Sequence, residues 1–275
     1  MIRLMFITNL PEMAHFVAEA GVNRIFVDLE QEGKFERQGH RNTLISRHEI
    51  ADVAAVRKAA PGVELLVRIN PWSDERSPGE VEAVIAAGAD LIMLPMIRDS
   101  GQVRRLGAAV AGRAAIIPLI ETVASANAIG EIAALTCVHE LYIGLNDLHM
   151  ELGCRFMFEP LADGLVDRLA AEIRPSGKPF GFGGIARVGE GMLPAELVLG
   201  EHVRLGSTRV ILSRTFHRMA DDVAGIQADM DFGRELAKLR QCETDWRNAS
   251  AAELARNHEA VRAAVATIIG KQVAQ

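Results

Sequence analysis

Two acidic residues each close a short apolar run: Glu121 in Ile-Pro-Leu-Ile-Glu-Thr (117–122) and Asp147 in Tyr-Ile-Gly-Leu-Asn-Asp-Leu (142–148). A carboxylate directly after several apolar strand residues is costly to bury unpaired, so each is expected where a strand emerges and meets a cation or a substrate. Arg68 ends a third run, Glu-Leu-Leu-Val-Arg-Ile-Asn (64–70). Two carboxylates on neighbouring strands, with no His or Cys beside them in sequence, suit a hard oxygen-ligated cation such as Mg²⁺ or Mn²⁺ and not zinc. A lone acidic strand end could equally cap the helix that follows it. Both carboxylates together with Arg68 point to a site.

The elements that must position these groups follow a repeated phrase: an Ala-rich helical stretch, a Gly, a polar link and an apolar run. It occurs at 19–28, at 86–95 and, more loosely, at 204–213. Gly just past a helix end takes the left-handed conformation that other residues resist, so each phrase reads as helix, stop, strand. Eight apolar runs predict strands near 2–7, 24–29, 64–69, 90–94, 115–121, 139–145, 179–183 and 208–213. Runs that are continuous instead of alternating indicate a parallel sheet buried on both faces. Eight β/α units favour an α/β fold of the (β/α)8 TIM-barrel type over an open doubly wound sheet. Helix starts are expected at Ser46-Arg-His-Glu49 and at Ser77-Pro-Gly-Glu80. The catalytic core should span 1–218, leaving a helical segment, 219–275, to complete the barrel or to exchange with a neighbouring subunit. Within it, a capping box at Ser250–Glu253 opens a helix whose face carries Leu254, Val261, Val265 and Ile268 and which should end at Gly270.

Composition narrows the function. The 275 residues are 49% hydrophobic but only 5% aromatic, which suits one large aliphatic core. The net charge of −6 and the absence of a basic block argue against nucleic acid. The first apolar run stops at Ile7, too short for a signal peptide or a membrane span, so a cytoplasmic protein with a small-molecule substrate is expected. Cys137, Cys154 and Cys242 are widely spaced and read as packing thiols. There are five lysines, and of these Lys34 alone is placed for the catalytic face, which disfavours a Schiff-base mechanism.

In a barrel the strand C-terminal ends carry the chemistry. Here they read Thr8-Asn9, Asp28-Leu-Glu30, Arg68-Ile-Asn70, Pro95-Met96, Glu121-Thr122, Asn146-Asp147, Gly183-Gly184 and Ser213-Arg214. Asp28-Leu-Glu30, Val-Arg68-Ile, Gly88-Ala-Asp-Leu-Ile-Met-Leu-Pro95-Met96, Leu-Ile-Glu121, Ile-Gly144-Leu-Asn-Asp147-Leu and Gly181-Phe-Gly-Gly184 together resemble the HpcH/HpaI aldolase and citrate lyase β-subunit family. The resemblance implies a metal-dependent lyase that makes or breaks a carbon–carbon bond through the enolate of a 2-oxo acid, usually pyruvate, or of a CoA thioester. It implies that Glu121 and Asp147 hold the metal (Mg²⁺, or Mn²⁺ or Co²⁺) and that Arg68 contacts the oxygen that becomes the enolate. Backbone N–H groups of Gly144, Leu145, Asn146 and Asp147 would hold the substrate carboxylate. A homo-oligomer, trimer or hexamer, is expected.

The sequence also departs from that pattern. The aldolase branch has a catalytic histidine directly after its Asp-x-Glu signature, and this chain has Gln31. His40, in a charged loop at 32–41, is the candidate replacement base. The alternative is a metal-bound water positioned by Asp28 or Glu30. A glutamine before the metal glutamate is replaced by Leu119. The glycines at 181–184 read as a tight turn allowing close approach of substrate, with Arg187 as an anion contact. The Met- and Phe-rich stretch 150–158 should cover the site or a subunit interface, and its Arg155 could read the second substrate. The expected activity is formation or cleavage of a 4-hydroxy-2-oxo acid. A Claisen-type citrate or malyl-CoA lyase or synthase is the alternative, and a non-catalytic metabolite-binding barrel is the reading from another class.

Overall fold

All eight predicted runs form strands: β1 Arg3–Ile7, β2 Arg24–Asp28, β3 Glu64–Arg68, β4 Leu91–Leu94, β5 Ala115–Ile120, β6 Leu141–Ile143, β7 Phe180–Ile185 and β8 Arg209–Leu212. In the computed structural model, which describes residues 1–31, 48–218 and 220–273, the strands close into a parallel barrel in chain order. Closure is through β1, which pairs with β2 (Met5 opposite Arg24) and with β8 (Leu4 opposite Val210). The expected glycine stops are present, with φ of +100° at Gly21, +101° at Gly88 and +78° at Gly206.

Alternate residues of each strand face opposite ways, and the period of two organises the barrel interior into layers. Met5, Phe26, Leu66, Met93, Ile117, Leu119 and Tyr142 form an apolar middle layer. Their strand neighbours Leu4, Phe6, Ile25, Val27, Leu65 and Val67 pack outward under the helices. On β2 and β3 the inward columns read Arg24, Phe26, Asp28 and Glu64, Leu66, Arg68, paired residue for residue. An ion pair therefore lies at each end with an apolar layer between. At the N-terminal end Arg24, with 0% exposure, reaches Glu64 (2.8 Å) and Glu140 (2.9 Å), and Arg209 also pairs with Glu140 (2.9 Å). Arg3 completes this plug through Glu64.

Three expectations are corrected. The glycines at 181–184 lie inside β7 and not in a turn. The β7–β8 register shifts between Gly181 and Gly184, and the Tyr142 hydroxyl fills the irregularity, donating to Gly183 O (2.6 Å) and accepting from Ile211 N (3.0 Å). The Ser77–Glu80 capping box does not form. Ser77 is already helical in Ser77–Ala86, and Glu80 accepts from Asn70 N (3.1 Å) and Nδ2 (2.8 Å) instead. The last helix, Ala251–Val273, runs through Gly270. Its capping box is present: Glu253 N donates to Ser250 Oγ (3.3 Å) and Ser250 N to Glu253 Oε2 (2.7 Å). The helix Ile50–Ala59 starts from Glu49, which forms a capping box with Asp52. Ser46 lies outside the described residues.

The helices after β8 pack on the barrel of their own chain. Phe232 opens Phe232–Asn248 within a ring cluster with Phe6, Phe16 and Phe216, and Glu243 accepts from Ile2 N (2.6 Å). The last helix buries Val261 and Val265, and its Asn257 donates to Leu197 O (3.0 Å) in the helix Ala195–Leu205. A side chain at Gly200 would come within 2.5 Å of that Asn257 amide, so the two helices meet backbone to side chain there. Among the described residues no helix is long and apolar enough to cross a membrane.

Candidate active site

Arg68 leaves the top of β3 directly opposite Asp28 in the β2–β3 ladder. The pairing makes a fork: Nε donates to Asp28 Oδ1 (2.8 Å) and Nη2 to Asp28 Oδ2 (2.7 Å). Nη1 lies 3.3 Å from Glu30 Oε2. Burial works against the guanidinium's charge, but Asp28 and Glu30 outweigh it and hold Arg68 above its usual value. Bidentate pairing of this kind fixes a plane as well as a charge.

Glu121 follows β5 and is 2% exposed. Two backbone features make room for it. Met96 takes φ +52°, uncommon for a residue with a side chain, and its N–H donates to Glu121 Oε1 (2.9 Å). A Cβ at Gly144 would lie 2.8 Å from Glu121 Cβ, so only glycine permits the approach. Burial first, then the negative charges of Glu30 and Asp147, push the Glu121 carboxyl up to about 8. Asp147 is buried in the first turn of the helix Leu145–Glu151, whose N-cap is Gly144. The first N–H groups of a helix have no partner within it, and Leu145, Asn146 and Asp147 all line the same cavity as Glu121 and Arg68.

The donor set fits a divalent cation. It is two buried carboxylates that offer oxygen ligands alone, and Glu121, raised first by burial and then by its negative neighbours, is a group whose ionised form a cation would favour. Among the described residues no group of three or more His, Cys, Asp and Glu could hold a metal, and two carboxylates by themselves would leave most positions of such an ion to water and substrate.

The cavity measures about 550 Å³. Asp28, Arg68, Glu121, Asp147 and Arg214 give it charged lining, and Phe156, Met157, Phe158, Met192 and Leu193 give it apolar lining. The stretch 150–158 thus does cover the site, through its last three residues. Arg155 is exposed and does not line the cavity. Arg187 is no anion contact: it is 4% exposed and bound to Glu190 (3.2 Å) and Asp229 (3.0 Å). His40 and Lys34 lie outside the described residues. Gln31 turns away to donate to His48 O (3.2 Å) and, through its N–H, to Asn70 Oδ1 (3.0 Å).

Sequence reasoning missed His48. Its Nδ1 accepts from Asp28 N (2.9 Å), so it braces the strand end that carries the Arg68 clamp. A histidine just before a helix has no periodic signature that would single it out. Tyr142 was also missed, though the chain's only tyrosine, inside an otherwise aliphatic strand, was a signal.

Comparisons with known proteins agree with this architecture. No curated protein matches the chain. Similar solved structures include the HpcH/HpaI aldolase from Desulfitobacterium hafniense DCB-2 (20% identity, TM-score 0.60, covering 86% of this chain and 93% of that one). A family protein from Burkholderia cenocepacia J2315 has 17% identity and a TM-score of 0.61, over 90% of this chain and 95% of that one. CitE from Mycobacterium tuberculosis, in complex with magnesium and pyruvate, has 16% identity and a TM-score of 0.60, over 94% of this chain and 97% of its own. At these identities the structures establish the fold alone. The family model for HpcH/HpaI aldolase/citrate lyase matches residues 3–157, more than half of the sequence, and the chain belongs to that family.

Proposed function

We propose that the protein is a divalent-metal-dependent carbon–carbon lyase that forms or cleaves a 4-hydroxy-2-oxo acid, with pyruvate or a close analogue as enolate donor. The observation that carries this reading is the Arg68 fork, clamped by Asp28 and Glu30, in one cavity with Glu121 and Asp147. Glu121 and Asp147 would hold Mg²⁺, or Mn²⁺ or Co²⁺, which when bound supplies Lewis-acid polarisation of the keto group. Arg68 donates to the keto oxygen as negative charge develops, and its preset plane minimises reorganisation at that moment. The first-turn N–H groups of Leu145, Asn146 and Asp147 receive the substrate carboxylate, whereas the Gly144 N–H, expected to join them, already donates to Ile120 O (2.9 Å). Asp28 and Glu30 orient Arg68 and a water that takes the methyl proton; His40 is the alternative base. That CitE was solved with magnesium and pyruvate supports the donor assignment.

The second reading, a Claisen-type lyase or synthase acting on a CoA thioester, is favoured by one observation: Gln31 stands where the aldolase branch has its histidine, and its side chain donates to His48 O. Deuterium oxide separates the two. With Mg²⁺ or Mn²⁺ present, the pyruvate methyl protons should exchange, and EDTA should stop the exchange. Exchange with acetyl-CoA alone would make the Claisen reading correct, and none with either donor would leave a binding barrel.

A further inference from the structure

The cavity, at about 550 Å³, has far more room than a three-carbon acid fills, and its lining is of two kinds. The charged residues that line it stand at strand ends or shortly after them: Asp28, Arg68, Glu121, Asp147 and Arg214. Arg214 belongs with them, since its guanidinium feels the charges of Asp28 and Arg68. The wall contributed by the segments after β6 and β7 is Phe156, Met157, Phe158, Met192 and Leu193, and among the described residues it carries no charge. Met192 is 66% exposed, so this wall reaches the protein surface.

This wall is held in place. Phe156 and Phe158 pack ring to ring at 5.5 Å. Gly191 turns with φ +98°, and a Cβ there would strike Leu193 O at 2.7 Å, so the turn presents Met192 in one way. The segment before it is tied down by Arg187 and Arg218, which both bind Glu190 and Asp229 at 2.7–3.2 Å. A preorganised apolar surface rewards apolar partners and disfavours a charge laid directly against it.

We infer that the second substrate is an uncharged, apolar aldehyde whose chain lies on Phe156, Met157, Phe158, Met192 and Leu193; this rests on the enolate-donor reading above. In the condensing direction C3 of the pyruvate enolate attacks the aldehyde carbon and one carbon–carbon bond forms. The carbonyl π pair moves to the aldehyde oxygen, which takes a proton from water, and the product is the 4-hydroxy-2-oxo acid. Cleavage reverses these steps, and no oxidant or further reactant is needed.

The test uses the full chain with Mg²⁺, pyruvate and the series propanal, butanal, pentanal and hexanal, with succinic semialdehyde as the charged comparison. Each added methylene that reaches the wall should raise kcat/KM about fourfold. Succinic semialdehyde should fall about tenfold or more below pentanal. Met192→Lys changes an exposed position and should fold. It should reverse that preference by giving the carboxylate a partner. Phe158→Ala should flatten the series. Each rate is divided by the same protein's methyl-exchange rate with pyruvate alone, so that donor activation does not enter the comparison. Exchange with a flat aldehyde series, or with succinic semialdehyde preferred by the wild type, overturns the acceptor class and leaves the donor reading standing. No pyruvate exchange at all overturns both.

Discussion

Arg68 combines a charge with a plane, and the two can be separated by substitution. Arg68→Lys keeps the charge but loses the fork that Asp28 fixes through two hydrogen bonds. Pyruvate methyl exchange should fall about a hundredfold, as when an oxyanion donor is removed. Mn²⁺ affinity, read by electron paramagnetic resonance, should hardly move; an unchanged exchange rate would remove Arg68 from the mechanism. Glu121 makes the opposite case, because burial and the charges of Glu30 and Asp147 set it against its own ionised form. Glu121→Gln keeps an acceptor for the Met96 N–H and relieves that conflict. Exchange should drop about a thousandfold while Tm stays level or rises, a trade of stability against function seen at many sites. A variant that turns over normally, or that unfolds, would contradict the assignment. These charges were legible because each ends an apolar run. Met96 was not, since its role lies in a backbone angle and a single N–H. The wall at 156–158 was legible only as an unexplained apolar stretch in a region expected to be polar.

At the level of elements, strand positions could be read from apolar runs, and the helix stops from Gly21, Gly88 and Gly206. What those runs concealed is parity. The first inward position of β2, β3 and β8 is Arg24, Glu64 or Arg209, and a charge at the start of an apolar run reads as its boundary, not as part of the interior. The glycines at 181–184, which overlap the end of the predicted strand 179–183, were read as a tight turn because Gly-rich sequence has two physical outcomes, a turn or a backbone closely approached by its neighbours. Here the second applies: a Cβ at Gly181 would lie 2.5 Å from Arg209 O and 2.6 Å from the Tyr142 ring. The tyrosine is thus part of the sheet's hydrogen bonding, bridging Gly183 O and Ile211 N where the ladder slips. Tyr142→Phe keeps the ring and strands both backbone groups, so it should cost about 1–3 kcal/mol. Urea denaturation checks this, and a variant as stable as the wild type would mean that water replaces the hydroxyl at no cost.

As a whole molecule, the barrel keeps its charge at two ends with an apolar layer between, and the ends serve different purposes. The upper end leaves the Glu121 carboxyl raised by burial and by the charges of Glu30 and Asp147. The lower end is satisfied: Arg3, Arg24 and Arg209 interlock with Glu64 and Glu140 and close the floor, so the site opens on one side alone. Stability against acid should therefore reside at the bottom. Burial favours the neutral form of Glu140, yet hydrogen bonds from Arg24 and Arg209 hold it at about 2, below its ordinary 4.5. The unfolded chain binds the proton first, so this contribution is complete above about pH 4.5 and is lost as the pH falls through about 2. The difference corresponds to roughly 3 kcal/mol. Glu140→Gln should remove that acid-dependent step. At neutral pH it should also lower stability by about 3 kcal/mol, because Arg24, with no exposed surface, loses one of its two charged partners. Denaturation series at pH 7 and pH 3 measure both effects. If the variant matches the wild type at pH 7 and still loses the same stability on acidification, the floor of the barrel is not what resists acid, and another carboxylate must be.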